Sequence, residues 1–213
     1  DISPWSPWDV TDFIMDHAGK TFSDAKAGVR FLKKSFAEGN PYRIDPNRIY
    51  AGGHSAGAAT INHLVLEDEE DMTSDNYWTE YVNENGGYFG DSGNAGFSHE
   101  VAGGFNLSGS IPRIESITIE DSDKLYISVH GESDPIVPYN YGPWGAGDFG
   151  DNIFTSFFSL ISAQPFMHGS GNIHEYMNNL GMENYHLSFQ GGAFTTGGHP
   201  FVHWGEANTN AMI

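Results

Sequence analysis

The chain has 213 residues, 38% hydrophobic and 14% aromatic, enough apolar material for one folded domain and unlike a disordered chain. Nine Lys and Arg against 28 Asp and Glu give a formal net charge of −19, which repels nucleic-acid phosphates and anionic lipid. There is no cysteine, so disulfides and thiolate metal sites are excluded, and no apolar run approaches the roughly 20 residues of a membrane-spanning helix.

The first ten residues do not read as a signal peptide, although a mature form that has lost one stays open. Phe22 to Glu38 predicts an amphipathic helix with Ser23 as N-cap. Ala25, Val29, Leu32 and Phe36 recur at helical spacing, and Gly39-Asn40-Pro41 ends it. The turn Ile44-Asp45-Pro46-Asn47 leads into a short strand, Arg48–Ala51, and a second helix runs from Ala58 to Leu66. From Glu67 to Glu100 there are ten acidic residues and no Lys or Arg. The run Glu67-Asp68-Glu69-Glu70-Asp71 lacks the ligand spacing and turn glycine of a calcium loop and reads as a solvated helix end.

Val101–Leu107 is a glycine-rich strand candidate, and Leu125–Val129 a clearer one. In the irregular segment Tyr139–Ser170, the residues Trp144, Phe149, Phe154, Phe157 and Phe158 could line a pocket for an acyl or aromatic group. The last three also stand at the spacing of a helix core. Gly171–Leu180 predicts a helix, stopped by Gly181, and Tyr185–Phe189 a final strand. Strands alternating with helices imply an α/β domain over 1–213, a mostly parallel sheet with right-handed crossovers and helices on both faces. The irregular segments, about 67–100 and 139–170, would be loop or cap-like insertions above a site.

Gly53-His54-Ser55-Ala56-Gly57 fits G-x-S-x-G, between a strand and a helix. There a serine sits on a strained turn with its hydroxyl above the sheet, and flanking glycines avoid clashes with strand and helix. A serine hydroxyl needs a base, and the base needs an acid to fix its tautomer. The required chain order is Ser, acid, His. Asp134, just after the strand Leu125–Val129, is the candidate acid, with Glu132 as fallback. Asp134 could also serve only as a turn residue before Pro135. His199, in a glycine-rich loop after the last strand, is the candidate base, with His203 as alternative. The Ala56 amide would be one oxyanion donor; His54 and Trp144 are candidate substrate contacts. His63 and His186 read as helix and strand residues.

The stretches Asp24–Lys34, Ile44–Gly57, Phe105–Ser110 and His130–Pro138, completed by His199, resemble bacterial carboxylesterases of the α/β-hydrolase superfamily, similar to secreted and feruloyl-esterase-like enzymes. The resemblance spans most of residues 22–203. It implies hydrolysis of small-molecule or polymer-linked carboxylic esters through an acyl-enzyme, with no metal or cofactor, and an extracellular location. A lipase, a polyester hydrolase or a peptidase would carry the same triad, and a non-catalytic binding module could keep the same fold. Such enzymes carry about four further strands before the first helix and a loop supplying the second oxyanion amide, and nothing in residues 1–22 matches these. The expectation is therefore that the strand before Ser55 has an open edge, covered by the protein's own N-terminal segment or by a second copy.

Overall fold

A computed structural model describes residues 7–73, 77–134, 136–144 and 166–189. Its frame is a four-stranded parallel sheet in the order Tyr50–His54, Gly103–Leu107, Leu125–Gly131, Tyr185–Phe189. A 31-residue helix, α1 (Pro7–Ala37), leads to β1 (Tyr50–His54). The helix α2 (Ala56–Leu66) follows after one residue, and α3 (Tyr77–Glu84) after a turn of 3-10 helix. Next come β2 (Gly103–Leu107), the two-residue β3 (Ser110–Ile111) and β4 (Leu125–Gly131). The last described elements are β5 (Tyr141–Pro143), β6 (Phe166–Gly169), α4 (Ser170–Asn179) and β7 (Tyr185–Phe189). The short strands β3, β6 and β5 form a separate antiparallel sheet, unforeseen in the sequence.

The expected strands and later helices are present with ends moved by up to three residues. The first helix differs more. It begins at Pro7, so Ser23 is not an N-cap but a buried residue inside the helix. Its hydroxyl accepts from the backbone amides of Asp91 and Ser92. Two turns on, Arg30 donates to the carbonyl oxygens of Phe89, Ser92 and Gly93. These bonds fasten the 86–94 turn to the flank of α1, where Met15, Phe22 and Val82 make a small second core. The acidic segment is thus packed against a helix, and Glu67 is not solvated: it is 2% exposed.

The main core lies on one face of the sheet. Ile61, Leu64, Val65 and Leu66 of α2 meet Tyr126 of β4 and Ile173 and Met177 of α4. Full burial of each such side chain contributes roughly 1.5–3 kcal/mol before chain entropy opposes it. Gly104 keeps α2 close to β2, since a Cβ there would lie 2.9 Å from Val65 and 3.0 Å from Ile61. Helices α2 and α4 pack on this face, and α1 packs on α2. Among the described residues the other face carries exposed Tyr50, Phe105, Tyr185 and Leu187, and β1 pairs with β2 alone.

Candidate active site

Ser55 occupies the single position between β1 and α2. Its φ of 56° and ψ of −120° put a side-chain-bearing residue in strained backbone. The turn is held by the Ser55 amide, which donates to Leu107 O of β2 at 2.9 Å, and by Ala59 N donating to Ser55 O at 3.0 Å. The two glycines of the motif have unequal roles. A Cβ on Gly53 would stand 2.2 Å from Gly57 O, so that position admits no side chain without movement. Among the described residues a Cβ on Gly57 meets nothing within 4 Å, so the expected clash at the second glycine is absent there. Ser55 makes no capping hydrogen bond to α2. The first amides of that helix, Ala56 first among them, thus receive no cap from the Ser55 side chain and have the positive end of the helix dipole behind them.

The parallel register brings the candidate acid to the same sheet edge. His54 is level with Leu107, and Leu107 with Val129, so Ser55 and Asp134 both lie beyond the carboxyl ends of their strands. The two strands are separated by one other, roughly 10 Å at the usual strand spacing. Asp134 Oδ1 accepts from the amides of Ile136 at 2.8 Å and Val137 at 3.0 Å. These are the bonds of the turn role weighed above, and they also fix the carboxylate. Its Oδ2 stands 3.4 Å from His130 Nε2, with both side chains fully buried. Glu132, the fallback, is instead exposed and accepts from Ser188 Oγ at 2.7 Å.

His130 was not singled out in the sequence, although its place four residues before Asp134 signals a pair. Its Nδ1 lies 2.8 Å from Ser170 Oγ and 3.4 Å from Ser170 N, contacts that suit an acceptor. The proton is then assigned to Nε2, facing Val137 O at 3.2 Å and Asp134. Ser170 Oγ accepts from Asn106 Nδ2, which also donates to Tyr126 OH; that hydroxyl donates to Asn62 Oδ1, and Asn62 Nδ2 to Ser110 O. A buried polar chain therefore runs from the acid loop beneath the sheet ends to the helix that carries Ser55. In a low-dielectric interior such a satisfied network rigidifies what it joins.

Beside Ser55 a cavity of about 340 Å³ opens between α1 and α2. Ala56 and Trp144, two of the residues singled out by sequence, line it; His54 is half-buried at the end of β1 and is not one of its lining residues. Trp144 is pinned by its Nε1 donating to Ser110 Oγ at 2.8 Å. His63 and Glu67, read as helix-face and solvated residues, form a buried ion pair in the cavity wall. His186 lies half-buried on β7, its ring nitrogens 2.6 Å from Ser128 Oγ and 2.9 Å from Tyr139 OH. His199 and His203 lie outside the described residues, as do Phe149, Phe154, Phe157 and Phe158. β7 ends at Phe189, at the same edge as Ser55 and Asp134.

A parallel sheet with a strained serine between strand and helix has the architecture of the α/β-hydrolase fold. Comparison with solved structures agrees on the fold. The chain superposes on a truncated carbohydrate esterase from gut microbiota with a TM-score of 0.50 at 16% identity, covering 80% of this chain and 60% of that one. It superposes on the apo form of Thermogutta terrifontis esterase 2 with a TM-score of 0.51 at 16% identity, covering 92% and 60%. The same esterase phosphorylated by paraoxon gives 0.50, again at 16% identity and 92% and 60% coverage. The chain thus spans about 60% of the length of these proteins. No protein-family model matches the sequence, and no curated protein matches it.

Proposed function

We propose that the chain is the catalytic part of a serine carboxylesterase. Ser55 attacks the ester carbonyl, His199 takes its proton and returns it to the leaving alcohol, and Asp134 orients His199 and stabilises the imidazolium. The Ala56 amide, at the α2 N-terminus, receives the developing oxyanion. The observation that carries this reading is Ser55 itself: a serine at positive φ between strand and helix, beside a cavity and an uncapped helix start. The esterase names of the structural neighbours support it, as does the modification of one of them by paraoxon. Trp144 and His54 contact the substrate, a small or polymer-linked ester, and the enzyme is exported. No metal or cofactor enters the chemistry. The open edge of β1 and the uncovered apolar sheet face favour pairing with an N-terminal segment of the same protein or with a second copy, which would supply the second oxyanion donor.

A panel of p-nitrophenyl esters tests the reading. The full-length protein should turn over short and medium acyl esters, and Ser55→Ala should lose roughly 10³-fold or more of kcat/KM while its denaturation midpoint is unchanged. Undiminished turnover in that variant would refute the assignment. The same panel with peptide, long-chain triglyceride and polyester substrates separates the carboxylesterase from the peptidase, lipase and polyester hydrolase alternatives.

A further inference from the structure

The far end of the cavity is not explained by chemistry at Ser55. Ala56 and Gly57 line one end and His63 and Glu67 the other. Seven residues of helix separate Ala56 from His63, roughly 10 Å at 1.5 Å per residue. Because helical side chains lean toward the N-terminus, Glu67 reaches back along the groove to His63 rather than away from it. Met15, Phe22 and Met167 make the walls apolar, and the Phe22 ring stacks on His63 with centroids 4.0 Å apart.

A carboxylate buried in such walls is costly unless every oxygen has a donor. His63 faces Glu67 Oε2, yet among the described residues Oε1 accepts no hydrogen bond. Lys26 lies near enough to feel the charge of Glu67, but its Nζ donates to Tyr88 O and sits 3.8 Å from the centre of the Tyr88 ring. The surrounding charges select what could complete the site. A second carboxylate would be repelled by Glu67. An ammonium group would bring a second cation beside Lys26 and the His63 imidazole. A neutral hydroxyl donates to Oε1 and adds no charge. An extended chain covers about 1.2 Å per bond, so about eight bonds span the distance from Ala56 to His63.

We propose that this cavity is the acyl pocket and that Glu67, held by His63, recognises a neutral hydroxyl about eight bonds from the scissile carbonyl. The acyl half of the substrate is then a medium-chain hydroxy acid and not a plain fatty acid. This rests on the ester-hydrolase reading above.

The test compares three p-nitrophenyl esters on the full-length protein: octanoate, 8-hydroxyoctanoate and 8-methoxyoctanoate. The hydroxy ester should exceed octanoate by about tenfold or more in kcat/KM, and the methoxy ester, which cannot donate, should not. Glu67→Leu should bring the hydroxy-to-plain ratio to about one. If Glu67→Leu does not fold, the three-ester comparison on the unmodified protein decides the matter alone. Equal turnover of the three esters overturns the proposal, as does a hydroxyl preference that survives Glu67→Leu. Should no ester be hydrolysed, the esterase reading fails separately. Calorimetric titration with octanoate and 8-hydroxyoctanoate then tests the pocket, tighter binding of the hydroxy acid supporting it and equal binding overturning it.

Discussion

Ser55 sits at φ 56°, an angle that side-chain-bearing residues rarely adopt. Gly53 is the residue that permits it. A methyl group there would have to displace the backbone at Gly57 and Ala58, whose atoms lie 2.2–2.7 Å from the added Cβ. Gly53→Ala should therefore destabilise the protein by roughly 1–3 kcal/mol, as overpacking does, and disturb the elbow with it. Gly57 is different. It lies on α2 with open space where its Cβ would be, so Gly57→Ala should raise stability by roughly 0.5–1 kcal/mol through helix propensity. Urea denaturation of the two variants reads the contrast directly. Equal losses in both would show that the second glycine is under a constraint absent from the described residues.

At the scale of elements, the buried His99 and the half-buried His186 make the fold sensitive to acid. Burial, with Lys26 and Arg30 nearby, lowers His99 to about 3 from its ordinary 6.5. Burial, with His174 and His130 nearby, lowers His186 to about 4. Between pH 6.5 and these values the unfolded chain binds protons that the folded chain refuses, so stability is highest above pH 6.5 and falls as pH falls. The urea midpoint should decline from pH 7 to pH 5, and His99→Phe should flatten part of that slope; a midpoint constant over this range would contradict the assignment. The sequence foretold the sheet strands, α2 and α4, because their apolar residues follow the period of the element and each is closed by a turn. It also singled out Ser55 and Asp134 as candidates, because the motif and the strand ends are local signals, and both lie beyond the carboxyl ends of their strands. It did not foretell the N-terminal half of α1, where Ser23 resembles a helix start yet is bound to Asp91 and Ser92, 68 and 69 residues away. Nor did it foretell β3, β5 and β6, two to four residues long, whose pairings such as Ile111 with His168 exist only through tertiary contact. The buried Glu67 escaped for a related reason: four acidic neighbours in sequence mask the one that turns inward.

The whole molecule carries 28 acidic and nine basic residues, a net charge of −19 that every folded copy must hold in a small volume. Salt screens that self-repulsion, since the Debye length falls from about 10 Å at 0.1 M to about 3 Å at 1 M. The melting temperature should rise with NaCl up to about 0.5–1 M, and a steady fall would contradict the electrostatic argument. The chain spans about 60% of the esterases it superposes on, so chemistry at Ser55 is best measured in the full-length protein. That protein should be treated with a serine-directed phosphonate and digested, and the modified peptide sequenced by mass spectrometry. One adduct is expected, on Ser55, formed in step with loss of ester turnover and absent from Ser55→Ala. An adduct on another residue, or complete loss of turnover with Ser55 unmodified, would contradict the nucleophile assigned here.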